Sequence, residues 1–433
     1  MIKTRDVIIL GVLACLSLII SLRTHSGSDQ IEEYRVKTLL SDDSIHFDAI
    51  SMIDINRDGL HLHFEKVDDA WWQQLPFPMR MDYPSMIALI EVAQGVQVLG
   101  EVSADQHIDG LGLGEGADTI SFSDGTSSVS IRLGRKTLGG LGYAIVGKNR
   151  VVLVDQSLHN LALDMDHRLW RDVRLFPEFA IDGIRIEREV DGDRLLLERR
   201  KGRWEMREPV SSRVEQSVLI TWVGRLAAAR VGSWVVDEPT DLHLFGLDLP
   251  SAIFEVGDRH GHSNIVFIGG RVSAGSQDRY MMLAGRPVVF TMKWETVSQL
   301  FPLPEILIDS TGSGVSRFDV KQVTIRSNHS EIILQRDLDR WVNKSVDGAI
   351  VNMDEVDALL NWVLDTKALS IAIGQYPLER EVATVVFAGY DLSPIDSVRI
   401  ANTEDGEWIL ENGDNVLRLH APEAGDALAP FLN

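Results

Sequence analysis

A single pattern recurs three times along this chain, and that triplication leaves few architectures open to it. Phe47 to Ile55 (FDAISMIDI) opens a segment that reaches Trp72, a helix-like stretch and then Gly112-Leu113. Phe179 to Ile186 (FAIDGIRI) opens a second that reaches Trp204 and Gly246-Leu247. Phe318 to Ile325 (FDVKQVTI) opens a third that reaches Trp341 and Gly389-Tyr390. The tryptophans lie 132 and then 137 positions apart, a period far beyond the 20–50 residues of a solenoid unit. The repeat is therefore a domain-sized module, and each motif in one copy can be checked against the other two. A turn or core position should recur, whereas a chemical site can occupy one copy alone.

The length of 433 residues accommodates three such modules, and 45 % hydrophobic residues are enough for a core in each. A net charge of −22 argues against nucleic acid or an anionic lipid surface as the main partner, because both require a basic footprint. One cysteine, Cys15, rules out an internal disulfide framework and a multi-cysteine metal site. It lies within the apolar run Val7–Leu22. As a helix that run spans roughly 24 Å, a little less than a hydrocarbon core of about 30 Å, and a snorkelling Arg23 helps to make up the difference. Lys3 and Arg5 precede it, as in a bacterial signal anchor. Val12-Leu-Ala-Cys15 also fits a lipoprotein cleavage box, although the apolar run continues beyond the cysteine, and a conventionally cleaved signal is the third reading; all three place the body outside the cytoplasm. The expected layout is a cytoplasmic tail (1–6), a transmembrane anchor (7–22), a tether (23–34) and modules at 35–170, 171–305 and 306–433. The third module is the divergent one.

Within a module, alternating residues predict strands. Ile53 and Ile55 precede Asn56-Arg-Asp-Gly59, and Leu60, Leu62 and Phe64 follow it, a strand–turn–strand signature. Ile184 and Ile186, the turn at Asp191-Gly192, and Leu195 and Leu197 repeat it; Val323, Ile325, Ile332 and Leu334 repeat it again. The tryptophan that follows each hairpin is expected to anchor it to the core. Helical spacing comes next, in Met86, Ile87, Leu89, Ile90 and Ala93, then in Val218, Leu219, Trp222, Val223 and Leu226. In the third copy Val356, Leu359, Leu360 and Val363 carry it, entered through Asn352 as a cap. Strands then resume at Thr119–Phe122 and Ser128–Leu133, and at Ile253–Val256 and Ile265–Ile268, followed by hairpins at Tyr143–Val154 and Tyr280–Met292. The predicted fold class is α+β: an N-terminal transmembrane anchor and three repeated modules of antiparallel strands with a packed helix.

Several motifs invite chemistry, and the repeat argues against each. Asp54, Asn56, Asp58, Gly59 and Glu65 match a calcium-binding EF-hand loop, but Leu60–Phe64 alternates as a strand and the other copies lack the acid spacing. Gly142 to Asn149 (GYAIVGKN) is one residue from a phosphate-binding loop, yet a strand follows where a helix is required. Gly110, Gly112, Gly114 and Gly116 alternate too regularly for a dinucleotide fingerprint and suit a turn. His61 with His63, and His260 with His262, are pairs without an evident third ligand, and they do not correspond between copies. No catalytic, cofactor-binding or metal-ligating residue is nominated.

The assembled module resembles domain of unknown function 4340. The landmarks are Trp72, Pro78, Gly112-Leu113, Leu133-Gly134 and Tyr143, then Trp204, Pro209, Gly246-Leu247, Ile268-Gly269 and Tyr280. They cover about residues 35 to 300 and fade in the third copy, where Tyr390 stands in place of leucine. The resemblance implies a membrane-anchored bacterial envelope protein of the kind encoded beside ABC-2-type transporters and gliding-motility-like extracytoplasmic proteins. It carries over no functional residue. The expected function is a non-enzymatic scaffold at the inner membrane, single-pass and largely periplasmic, that partners an ABC permease or its extracytoplasmic companion without cofactor, nucleotide or nucleic acid. The alternative is a carbohydrate- or cell-wall-binding protein, for which Trp71, Trp222, Trp234 and Trp362 would supply stacking surfaces. A hydrolase with acidic residues in a cleft between modules is a third reading.

Overall fold

The computed structural model describes residues 37–40, 45–102, 108–147, 150–176, 183–346 and 348–432. The expected tail, the anchor Val7–Leu22 with Cys15, and the tether lie outside the described residues. Among the described residues no helix is long and apolar enough to cross a membrane. The described residues form two compact units, one within 37–76 and 83–169, the other within 77–82 and 170–432.

The hairpin signature builds the centre of each module. In the first, β1 (Met52–Arg57), β2 (Leu60–Val67), β3 (Ala70–Leu75) and β4 (Met79–Arg80) form a meander. Asp58 and Gly59 between β1 and β2 have φ of 46° and 76°, the left-handed pair of a two-residue hairpin turn. Helix α1 (Tyr83–Gly95) follows, then β5 (Val98–Glu101), and a second meander of β6 (Asp118–Ser123), β7 (Ser128–Lys136), β8 (Leu141–Val146) and β9 (Arg150–Asp155). The strand order is β4-β3-β2-β1-β6-β7-β8-β9-β5. Strands β10–β18 (Gly183–Met292) and β19–β27 (Gln322–His420) repeat that nine-stranded order position for position. Every pairing whose register is defined is antiparallel, as local hairpin connections require.

One face of each sheet is buried. Ile53, Ile55, Leu62, Phe64, Ile120 and Phe122 form the inner layer of the first, while Asp54, Asn56 and Ser121 face outward. The predicted helix faces are the ones buried: Met86, Leu89, Ile90 and Ala93 on α1, and Leu219, Trp222 and Leu226 on α2 (Gln216–Ala228). On α3 (Met353–Leu360) they are Val356, Leu359 and Leu360, and the Asn352 side chain accepts from the Asp354 amide at 3.1 Å, the expected cap. Val363 is buried in the π-helical turn that continues α3. Each fully buried Leu, Ile or Phe contributes about 1.5–3 kcal/mol, so these layers hold the modules together.

Four expectations are corrected. The recurring tryptophan of the first copy is Trp71, which is buried, and Trp72 is half-buried. Trp71 pairs across from Lys66 as Trp204 pairs with Arg199 and Trp341 with Arg336, each one step beyond the residue pair that closes the hairpin. The matching proline is Pro76, not Pro78: Leu75-Pro76 and Glu208-Pro209 are both cis and each proline lies five residues after its tryptophan. The third copy is not irregular after its helix; β23 (Ser370–Ile373) through β27 (Val416–His420) occupy the standard positions. Gly389-Tyr390 is the turn after β24 (Glu381–Ala388), not the counterpart of Gly112-Leu113, and Tyr390 is exposed. The counterpart of Leu113 is Tyr376: Leu113 packs with Ile145 and Val151, and Tyr376 packs with Ala401 and Ile409 ahead of the same strand position.

In the second unit, modules two and three are joined through their cores and a polar network. Val416 of β27 belongs to the same apolar cluster as Leu195, Trp204 and Phe254. Val214 bridges Ile308, and the Glu215 and Asp309 amides donate to Leu307 and Arg213 carbonyls at 2.9 and 3.0 Å. Fully buried Arg418 donates to Asp414 at 2.8 Å and to the Asp309 carbonyl at 3.0 Å. Asp414 in turn accepts from Ser212 at 2.6 Å. Arg213 pairs with Asp309 at 3.2 Å and Lys367 with Glu215 at 2.9 Å.

Candidate functional site

The motifs singled out in the sequence resolve into local structure. The calcium-like loop is the β1–β2 turn, and Asp54 accepts from His61 and His63 at 3.1 and 2.7 Å. The hairpin register brings Asp54 opposite His63, a neighbour that sequence separation conceals. His262 similarly meets Asp258 at 3.0 Å in a turn. Among the described residues no group of three or more His, Cys, Asp or Glu is placed to hold a metal ion. The phosphate-loop likeness is the tip between β8 and β9, where Gly147 has φ of 69° and Lys148 and Asn149 lie outside the described residues. The Gly-Leu motif is a packing device. A Cβ on Gly269 would stand 2.4 Å from the Phe245 carbonyl oxygen and 2.9 Å from Leu247 Cγ, and Gly134 relates in the same way to Leu111 and Leu113. Trp71, Trp222 and Trp362 are core residues, while Trp234 packs edge-on to Phe290 beneath Arg171.

The carboxylates at the joint of modules two and three are committed to cations. Hydrogen bonding to Lys367 holds Glu215 below its ordinary pKa. Burial pushes Asp414 upward, but hydrogen bonds from Arg418 and Ser212 outweigh it and leave the group below its ordinary value. Both stay ionised at neutral pH, which suits a structural clamp and not a proton donor.

The candidate site lies on the inner face of the second sheet. A pocket of about 450 Å³ is lined by Arg188, Arg279, Trp294, Phe301 and the apolar side chains of Ile268 and Val297, with Asp191 and Asp193 exposed at its border. Arg188 is on β10 (Gly183–Val190), opposite buried Leu195 and Phe254, and so projects into the core layer. Arg279 opens β17 (Arg279–Leu283) opposite buried Met292, with its guanidinium 5.1 Å from the Trp294 ring. Arg188 stands 5.9 Å from the Phe301 ring. Among the described residues neither arginine has a carboxylate within ion-pair distance, and Arg279 Nη1 is buried without a hydrogen-bond partner. Burial pushes both guanidinium groups below their ordinary pKa, with Arg271 adding to the effect on Arg279, its cross-strand neighbour. Like charges opposed across strands are unfavourable, so this corner of the sheet favours an anion.

Sequence reasoning missed both arginines. The signal was present once the copies are aligned on the hairpin turn, because Arg188 then falls on Ile55 and Ile325.

No curated protein matches the chain. Residues 204–382 match the family described as Domain of unknown function (DUF4340), from Trp204 on β12 (Arg203–Glu208) to the start of β24; the match takes in the landmarks of the second copy and runs on into the third, where the resemblance was expected to fade, and does not include the first-copy landmarks.

Proposed function

We propose that this chain is a non-enzymatic, membrane-anchored scaffold outside the bacterial cytoplasm, and that its partner is the permease or extracytoplasmic companion of an ABC-type exporter. The observation that carries the scaffold reading is the joint of modules two and three, where a shared apolar cluster and the Arg418–Asp414–Ser212 network fix two nine-stranded sheets as one platform. A fixed pair of sheets presents a large surface of constant geometry, which favours binding a macromolecule over enclosing a reaction. The apolar run Val7–Leu22 supports the membrane assignment, and the choice of partner rests on what the resemblance read from the landmarks implies. Affinity purification of the full chain from detergent-solubilised native membranes, with co-purifying proteins identified by mass spectrometry, tests this reading. Stoichiometric recovery of an ABC permease or its companion is the expected result. Recovery of the chain alone, or with retained glycan in place of protein, contradicts it.

A further inference from the structure

The three copies of the module provide an internal comparison at the pocket of the second sheet. Aligned on the β1–β2 turn and its equivalents, one inner-face position reads Ile55, Arg188 and Ile325. Both isoleucines are buried in their core layers. A second position, at the start of the eighth strand, reads Gly142, Arg279 and Trp408. In the first module the ring of His159 fills the space above it, so closely that a Cβ on Gly142 would stand 2.4 Å from that ring. In the third module the indole of Trp408 fills it, packed edge-on to Trp362 at 5.9 Å and against Gly425, where a Cβ would stand 2.0 Å from the indole. Two copies thus place a planar ring of their own at this point. In the second copy the same point is the 450 Å³ pocket, and both positions that border it carry arginine.

The buried arginines Arg57, Arg171 and Arg418 show how this acidic chain ordinarily accommodates a guanidinium. Arg57 donates to the carbonyls of Ala162, Leu163 and Met165 at 2.7, 3.0 and 2.9 Å. Arg171 pairs with both oxygens of Asp237 at 2.8 and 2.7 Å, and Arg418 pairs with Asp414. Placing a guanidinium in a core layer without such a partner opposes folding. Arg188 and Arg279 are half-buried, each with an aromatic ring for company, and Arg279 Nη1 is buried without an acceptor. Cation–π contact offsets part of the desolvation but satisfies no N–H donor. Asp193 and Glu305 act on Arg188 from a distance, and neither is within ion-pair distance of it.

We propose that this pocket binds a small organic anion: its carboxylate or phosphate between Arg188 and Arg279, and its planar or apolar body against Trp294, Val297 and Phe301, where the sister modules place a ring of their own. The ligand chemistry follows from the lining: two half-buried guanidinium groups without a carboxylate partner, one of them with a buried Nη1 lacking an acceptor, beside an apolar wall that would reject a fully hydrated ion. This inference is independent of the exporter partner, since the pocket lies within one module.

The test is calorimetric titration of the purified full chain with 3-phenylpropionate and phenyl phosphate, with the neutral isostere 3-phenylpropanol alongside. The same titrations are made on Arg188→Ile and on Arg279→Met. Saturable binding of one of the anions is expected, on the order of tenfold or more tighter than the alcohol, with a loss on the order of tenfold or more in each variant. Binding of the carboxylate alone or of the phosphate alone identifies the head group. Equal binding of acid and alcohol, equal binding by wild type and variants, or no saturable binding of either anion up to about 10 mM overturns the proposal. Should Arg188→Ile fail to fold, Arg279→Met at the pocket's other wall still decides it.

Discussion

His420 and Arg418, neighbours on the inner face of β27, show how a single residue sets the conditions under which the second unit is stable. His420 is buried edge-on to Trp362, and burial, with Arg418 close by, lowers its pKa from 6.5 to about 4. The folded state therefore holds this histidine neutral where the unfolded chain would protonate it. Its contribution is complete above pH 6.5 and is lost as pH falls toward 4, on the order of 3 kcal/mol across that window. Urea unfolding of wild type and His420→Met at pH 7 and pH 4.5 is expected to show the wild type losing more stability than the variant; equal losses would contradict the assignment. Asp414→Ala should cost about 3–5 kcal/mol at neutral pH, because it leaves fully buried Arg418 without its carboxylate. The same scale shows why Trp71 was hard to read. Two adjacent tryptophans both fit the repeat, and only the pleat parity set by the Asp68-Asp69 turn, with φ of 48° and 63°, sends Trp71 inward.

The hairpins and the three long helices were legible as elements because their periods of 2 and 3.6 are carried by residues that also recur between copies, such as Ile53, Ile186 and Val323. Edge strands β4 and β5 and their equivalents were not, since a two-residue strand such as Ser212–Arg213 has no period. The third copy's turn before β24 was hidden because Tyr376 and Ala401 replace the leucine and the neighbouring glycine found in the other copies. Glycine marks close approach in one element and costs entropy in another, and two substitutions separate these roles. Gly269→Ala should destabilise by about 1–3 kcal/mol, because the added methyl meets the Phe245 carbonyl in the 3₁₀ turn His243–Phe245. Gly224→Ala on the exposed face of α2 meets nothing within 4 Å and should stabilise by roughly 0.5–1 kcal/mol. Thermal unfolding of the two variants is expected to move in opposite directions; a shift of the same sign would contradict one of these roles.

Across the whole chain, triplication separates what holds a module together from what one copy does alone. The three sheets share one strand order, so features found in all copies are explained by folding. The candidate site stands out because it breaks the repeat: Ile55 and Ile325 are apolar where Arg188 is charged. The pattern was available in the sequence but invisible until hairpin register aligned the copies, since ordinary arginine content in an acidic chain draws no attention. The proposed partner and compartment rest only on the family likeness and on the apolar run outside the described residues. If Arg188 was placed in a core layer for binding, folding is opposed by its presence, and the residue used by the sister modules should be better for stability. Chemical denaturation of the full chain carrying Arg188→Ile, without added ligand, tests this most directly. The expected result is a gain of about 1–2 kcal/mol at neutral pH, from an apolar side chain replacing a half-buried, partly desolvated guanidinium. A loss of stability would make Arg188 a structural residue and contradict the reading of the second module as the copy adapted to bind.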